Sequence, residues 1–387
     1  MKILFASNFF NHHQQPLSER LARQPEVDYQ FIETMPMPHE QKQLGYHMEQ
    51  LPGYVCPAYL GQAQRERALR LLEEADVLIT GSAPETMVRS CIRRNKLVFR
   101  YSERPVKKRE PLKYLPRLLR WNWRNPPGKP IYLLCASAYA AGDYARFGLF
   151  RNRAYKWGYF PETKHYEDPD ALLAAKDTRE ILWCGRFLDW KHPEAALLAA
   201  GKLKGEGYSF RLRFIGTGEQ ERSLHTMAEE AGLSDCVEFL GPMSPEQVRA
   251  HMERAGIYLF TSDKQEGWGA VLNESMNSGC AVIASHAIGS VPFLLKDEEN
   301  GLVFRSGDVE MLYEKIRYLL DHPQEQKRLG KAAYETIAGE WNAQVAAQRV
   351  VRLAQAILDG EKEPDLYASG PCSRAERLEE SWYCYET

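Results

Sequence analysis

The sequence predicts an α/β protein of two domains, each built on a parallel β-sheet covered by helices. Two observations carry that expectation. Short apolar runs of strand length alternate with longer helical stretches, the pattern of repeated strand–helix–strand units. The 387 residues also exceed what one ordinary hydrophobic core serves. A composition of 26% charged and 44% hydrophobic residues suits a soluble globular protein.

The first domain is expected over 1–160. Met1-Lys-Ile-Leu-Phe-Ala-Ser-Asn8 has too short an apolar part for a signal peptide. It reads instead as a first strand, Ile3–Ala6. Tyr29–Glu33, Val77–Thr80, Lys96–Phe99 and Tyr132–Ala136 follow as strands between helical stretches. A polar stretch after Trp157-Gly-Tyr-Phe-Pro161 marks a linker over 161–179, and the second domain spans 180–340. A helix over 341–360 and a tail over 361–387 follow. The tail mixes Pro, Gly, acids and aromatics and is assigned no function.

In the second domain, Glu180-Ile-Leu-Trp-Cys-Gly185 is a short strand, after which Arg186 and Lys191 project from a loop leading to Pro193. Proline suits the first turn of a helix. A planar guanidinium and a point-charge ammonium at such a place can neutralise a pyrophosphate, although each taken singly reads equally well as a solvated surface charge. Phe210–Ile215 is a strand running into Gly216-Thr-Gly218, and Val237-Glu-Phe-Leu-Gly241 is another closing in a turn. Ser244-Pro245-Glu246 opens a helix. Gly256–Asp263 reads as a buried strand, and Ala270–Ser278 as a helix. Between them lies Glu266-Gly-Trp-Gly-Ala-Val-Leu-Asn-Glu274, at the carboxyl end of a strand where open α/β sheets bind ligands. Gly267 and Gly269 let the backbone approach a ligand and aim N–H groups at it. Two carboxylates staggered this way can hold separate hydroxyls of an extended polyol such as a nucleotide sugar. The plainer reading is that both are acids near a helix start.

Taken in order, Gly185-Arg186…Lys191, Gly216-Thr-Gly218, Val237–Gly241, Glu266-x7-Glu274 and Ser278-Gly-Cys-Ala-Val-Ile-Ala284 resemble glycosyltransferase family 4. Trp341-Asn-Ala-Gln-Val-Ala346 resembles the start of that family's last helix. The resemblance runs from about Ile181 to Leu358. It implies the GT-B fold, two Rossmann-like parallel-sheet domains facing each other across a cleft, with the last helix crossing back to the first domain. It implies retaining transfer of a hexose-like unit from a nucleotide diphosphate sugar to an acceptor hydroxyl. Arg186 and Lys191 would hold the diphosphate, Glu274 the ribose, and Glu266 the transferred sugar. The amides from Gly267 through Trp268, Gly269, Ala270 and Val271 would assist. The base would lie near Val237, Phe239 and Leu240. Arg186, Lys191 and Glu266 form the catalytic set, with no cofactor beyond the nucleotide sugar. A sugar-nucleotide epimerase of the same fold, or a non-catalytic membrane-surface binding protein, are the alternatives.

The first domain departs from that family at two loops. Asn8-Phe-Phe-Asn-His-His-Gln-Gln-Pro16 replaces a paired-glycine turn. His12 or His13 could serve an acceptor or a phosphate there, or simply be exposed loop residues. Adjacent side chains on an extended segment point to opposite sides, so only one of the two is expected to act. Phe99-Arg-Tyr-Ser-Glu103-Arg104-Pro105 lacks the family's histidine. Glu103, kept ionised by Arg104, is the nearest polar substitute, and both are placed on the acceptor side, a simple pairing of the two being the alternative.

Between Arg89 and Lys129 there are fourteen Lys or Arg against Glu103 and Glu110, an excess of twelve. Within it Lys107, Lys113, Arg117, Arg120 and Arg124 interleave with Leu115, Leu118, Leu119, Trp121 and Trp123. Such a stretch suits an anionic membrane surface, and packing of its Leu and Trp onto the domain is the alternative. No nucleic-acid-binding module accompanies it. No apolar stretch approaches the length of a spanning helix, which together with the basic stretch implies a cytoplasmic protein, peripheral at the inner face of the plasma membrane. The eight cysteines occur singly and read as reduced core thiols, without zinc-ligand spacing. Asp168-Pro-Asp170 matches a metal-binding pair but lies in the expected linker. It reads as loop solvation, so no metal is expected.

Overall fold

The computed structural model describes residues 1–38, 50–107 and 114–383. The chain divides into two compact units, Met1–Glu162 with Asn342–Glu379, and Thr163–Trp341 with Glu380–Thr387.

The first unit is built on β1 (Lys2–Ser7), β2 (Asp28–Glu33), β3 (Val55–Pro57), β4 (Val77–Thr80), β5 (Leu97–Ser102), β6 (Ile131–Cys135) and β7 (Ala154–Lys156). They form one parallel sheet in the order β3-β2-β1-β4-β5-β6-β7. A parallel sheet with helices on both faces buries both sets of side chains, so its central strands read as continuous apolar runs. Every residue of β4 and β6 is buried, and β1 is exposed only at Lys2. The edge strands β3 and β7 were not foreseen, because three residues are too few to show a period.

The helix Ala343–Leu358 packs within this unit, against the helix Gln15–Ala22 and β5. Beyond it, residues 372–375 run along the edge strand β7. Cys372 N–H donates to Lys156 O at 2.8 Å, Lys156 N–H to Ser373 O at 2.8 Å, and Ala375 N–H to Ala154 O at 3.0 Å. An exposed edge strand is a template for unwanted pairing. Here the tail covers it.

The second unit carries β8 (Asp177–Cys184), β9 (Arg211–Ile215), β10 (Val237–Phe239), β11 (Ala255–Phe260), β12 (Ala281–Ser285) and β13 (Leu302–Phe304). They are parallel, in the order β10-β9-β8-β11-β12-β13. The helix Pro245–Arg254 opens with a capping box, in which the Ser244 side chain accepts from Gln247 N–H and the Gln247 side chain accepts in return. Most of the stretch 161–179 is part of this unit. Lys164 N–H donates to Asn277 Oδ1 at 2.8 Å, and Asp168 caps a short helix, Pro169–Ala174, that buries Leu173.

Candidate active site

The chain order reverses between β8 and β11. Beyond the carboxyl ends of these neighbours lies the crevice where doubly wound sheets take ligands. Trp183, in β8, donates its indole N–H to Thr261 Oγ1 at 2.9 Å. Thr261, just past β11, donates its hydroxyl to Lys191 O at 2.7 Å, and Asp263 N–H donates to Trp190 O at 2.9 Å. The loop from Asp189 to Lys191 is one 3₁₀ turn, and His192 takes a left-handed backbone, φ 50°, before Pro193. The main chain of Lys191 is thereby fixed to the neighbouring strand.

Its side chain forms an ion pair with Glu266, and Ser262 Oγ donates to the same carboxylate oxygen at 3.1 Å. The two side chains are only 14% and 10% exposed. The ammonium sits 4.6 Å from the Trp190 ring centroid and 5.8 Å from that of Phe260. Arg186, by contrast, is exposed and makes no ion pair with any described residue.

Glu274 lies on the helix Val271–Asn277. Burial raises its carboxyl above the ordinary value, with the Arg249 guanidinium opposing. Burial also pushes the Cys184 thiol up to about 12, helped by the Glu274 charge and opposed by Lys191. The Tyr258 hydroxyl, donating to Cys184 O at 3.2 Å, is raised by burial and then by Cys184, Glu274 and, less, Glu266. Lys191, Glu266 and Glu274 therefore share one electrostatic environment at the ends of β8 and β11.

Three glycines make close approach there. Gly216, at φ 134°, would put a Cβ 1.9 Å from Gly185 O, and one at Gly218 would lie 2.5 Å from Phe187 O. Gly269, at φ 81°, would place one 2.3 Å from the Phe260 ring. The Trp268 ring is wholly buried, 6.0 Å from Trp341 and 6.3 Å from Phe293, with its N–H on Asn273 Oδ1 at 2.8 Å. The side chain is thus a core group, and Trp268 offers the loop its main chain, as the amide reading requires. Gly267 is buried beside it, while Ala270 and Val271 begin the next helix. Val237 is likewise a core side chain at 7% exposure. Phe239 stacks on Phe214 at 5.0 Å and meets His225 at 4.1 Å, and the Leu240 N–H is taken by Phe214 O at 2.8 Å.

In the first unit, the loop after β1 turns where an extended segment was expected. Asn11 Oδ1 accepts from His13 and Gln14 N–H at 3.0 and 3.2 Å, so the His12 and His13 rings meet at 3.8 Å. Both histidines are thus brought together rather than pointed apart. Burial holds His12 down to about 4, and burial with the His12 charge holds His13 down to about 3. His13 stacks at 6.2 Å on Tyr159, whose hydroxyl donates to Glu103 Oε1 at 2.6 Å. Glu103 also pairs with Lys107 at 3.5 Å. Arg104 finds its carboxylate partner in Asp143. It is 5% exposed and forms a buried two-point pair with Asp143, at 3.2 and 3.4 Å, under the Tyr139 ring. The guanidinium is thus held by Asp143 and largely out of solvent.

The basic aromatic stretch forms the helix Tyr114–Arg124, and Lys113 lies outside the described residues. Its two tryptophans separate. Trp121 meets Tyr144 edge-on at 5.1 Å, whereas Trp123 is 57% exposed with the Arg89 guanidinium 3.7 Å over its ring. Leu115, Leu119 and Trp123, at 61%, 65% and 57% exposure, form one outward stripe. Arg120 flanks it in solvent and Arg117 is half-buried, but Arg124 is turned to Glu85 at 3.5 Å and is not available to a surface.

Asp168 accepts from Ala171 N–H at 2.9 Å as a helix cap, and Asp170 pairs with Lys331 at 2.8 Å. Both carboxylates have protein partners of their own. Sequence reading missed Thr261 and Ser262, whose signal was a hydroxyl pair at a strand's carboxyl end. It also missed Tyr159 and Arg249, which carry no local signal.

Residues 166–336 match the family model for glycosyl transferases group 1. The putative colanic acid biosynthesis glycosyltransferase WcaL of Escherichia coli K12 is 29% identical over 196 residues, 49% of this chain and 48% of that protein. The amylovoran biosynthesis glycosyltransferase AmsK of Erwinia amylovora is 26% identical over 207 residues, 52% of this chain and 50% of that protein. The chain spans about half the length of the curated relatives it matches. Among solved structures, Anabaena HepE in complex with UDP superposes with a TM-score of 0.66 at 14% identity, covering 92% of this chain and all of the other (100%). Sucrose-phosphate synthase from Thermosynechococcus elongatus gives 0.64 at 19%, covering 93% of this chain and 100% of its own. The fold is therefore α/β with two Rossmann-like parallel sheets, the GT-B architecture of those neighbours, and residues 166–336 are similar to the glycosyl transferases group 1 family.

Proposed function

We propose that this chain is a metal-independent retaining glycosyltransferase. It moves a hexose-like sugar from a nucleotide diphosphate sugar to an acceptor hydroxyl, in the assembly of a surface polysaccharide or glycolipid. The observation that carries the reading is the grouping of Lys191, Glu266 and Glu274 at the crossover of the second sheet, with the exposed Arg186 on the same loop as Lys191. Relatives named for colanic acid and amylovoran biosynthesis support it, as does HepE, solved with UDP and with UDP-glucose.

In this reading the bond from the anomeric carbon to the diphosphate oxygen breaks while Arg186 and Lys191 meet the growing negative charge. The acceptor oxygen attacks the face that the leaving group vacates, and its proton passes to the departing diphosphate. Glu266 orients the sugar through its hydroxyls, and Glu274 takes the ribose. The nucleobase lies by the main chain near Leu240, and the two cations supply the charge that a metal would otherwise bring. His12, His13 and Glu103 belong to the acceptor side.

The outward stripe of Leu115, Leu119 and Trp123, set in the most basic stretch of the chain, supports work at an anionic bilayer bearing the acceptor. Among the described residues no helix is long and apolar enough to cross a membrane. Incubation with UDP-, GDP- and ADP-linked sugars tests the assignment. Slow release of nucleoside diphosphate, accelerated by acceptor, is expected. A new nucleotide sugar formed without acceptor would make the protein an epimerase, and no reaction at all would leave a binding protein.

A further inference from the structure

Lys191 and Glu266 serve different halves of one donor in the reading above, yet in the unliganded protein they hold each other. Neither has much water to fall back on. The ammonium is bounded by the Trp190 and Phe260 rings, and with Lys191 gone the carboxylate keeps only the Ser262 hydroxyl among described side-chain partners. The main chain on both sides is fixed. Thr261 holds Lys191 O, Glu266 N–H donates to Asp263 O at 3.1 Å, and Gly289 N–H donates to Glu266 O at 3.3 Å. Only the side chains are left to exchange partners.

We propose that this ion pair is a latch that the donor opens as a whole and that re-forms to expel the product. The inference rests on the donor assignment given above. A diphosphate reaching Lys191 displaces Glu266 and also approaches its charge. A ligand carrying a sugar offsets that cost, because its hydroxyls donate to the released carboxylate, a charge-assisted contact. A nucleoside diphosphate offers no such donors and strands a nearly buried anion beside its own phosphates. Once the sugar has been transferred, Glu266 competes again for Lys191 and the diphosphate is loosened. The pair thereby makes the site favour donor over spent product, although both carry the same nucleotide.

Calorimetric titration of the whole protein with uridine, guanosine and adenosine diphosphates tests this. The diphosphate that wild type prefers should bind Glu266→Gln roughly fivefold or more tightly, while sugar transfer falls. That gain should shrink in a Lys191→Met background, where there is no ammonium to compete for. Should Lys191→Met fail to fold, Glu266→Gln alone still decides. Its preference for the matching nucleotide sugar over the free diphosphate should collapse relative to wild type. Diphosphate affinity unchanged or weakened in Glu266→Gln overturns the latch, as does an equal gain in both backgrounds. Binding of none of the three diphosphates to any variant overturns the donor assignment itself, and the latch with it.

Discussion

Arg186 and Lys191 carry the same charge on one loop, but their surroundings make different demands. Arg186 is exposed and unpaired by any described residue, whereas Lys191 neutralises a nearly buried carboxylate. Arg186→Ala should therefore lose about 2–4 kcal/mol of transition-state stabilisation with an unchanged melting temperature. Lys191→Ala should lose a similar amount of activity and also melt earlier, because an unsatisfied buried charge costs about 2 kcal/mol or more. Equal melting of the two variants would contradict the pairing. The His12–His13 cluster gives a pH dependence of known sign. Both imidazoles titrate far below the 6.5 of a free histidine, His12 at about 4 and His13 at about 3. Below pH 6.5 the unfolded chain takes up protons that the folded chain refuses. The contribution of these two histidines should be level above that pH and cost stability as pH drops toward 4, and His12→Gln with His13→Gln should lessen the acid fall in a melting series. Arg186, Lys191 and Glu266 stand out in the sequence because each follows the carboxyl end of an apolar strand by two to seven residues, and Glu274 because it lies eight residues after Glu266 on the next helix. Trp268 and Arg104 show what the sequence leaves out: a polar or aromatic residue beside a motif gives no sign of which way its side chain turns, and tertiary packing turns both inward.

The helix Tyr114–Arg124 presents two faces with separate consequences. Trp123→Ala with Leu119→Ala should weaken co-sedimentation with phosphatidylglycerol vesicles and leave folding intact, since both side chains are largely in solvent. Trp121→Ala should cost roughly 1–3 kcal/mol of stability, below the loss for a fully buried tryptophan, because its ring fills the space beside Tyr144. Binding should decline as salt rises through the range where the Debye length contracts to about 8 Å. Wild type that ignores vesicles at low salt would remove the membrane from the functional reading. Deleting the residues after Gly360 should uncover β7 and strip partners from Tyr132 and Tyr155, whose hydroxyls donate to Lys362 O and Pro364 O at 2.7 and 2.9 Å. The truncated protein should self-associate in sedimentation, as an open sheet edge does. Monomers would show that the cover is dispensable. The major strands are legible because two-sided burial writes itself as apolar runs. The covering segment at 372–375 is not, since its bonds are main-chain bonds that leave no mark on residue choice.

The whole molecule pairs two parallel sheets that share an architecture and differ in how the chain supplies them. A nucleoside diphosphate that binds the second unit should slow hydrogen exchange in the segments around Cys184–Lys191 and Phe260–Glu274, and leave β1–β7 unchanged. Protection confined to the first unit would relocate the donor. Both sheets are legible from strand–helix alternation, whereas the membership of residues 342–379 in the first unit is a long-range fact that periodicity does not encode. That membership has a consequence during synthesis. The second unit is nearly continuous, so it closes soon after residue 341 leaves the ribosome. The first unit must wait for residues 342–379, although its sheet strands are made before any of the second unit. Translating the intervening residues 163–341 takes on the order of ten to thirty seconds. Throughout that interval the surface of Gln15–Ala22 and β5 that receives the helix Ala343–Leu358 stands bare. The half of the chain made first is thus completed only after the bulk of the other, and it is the half that a nascent-chain chaperone would be expected to hold.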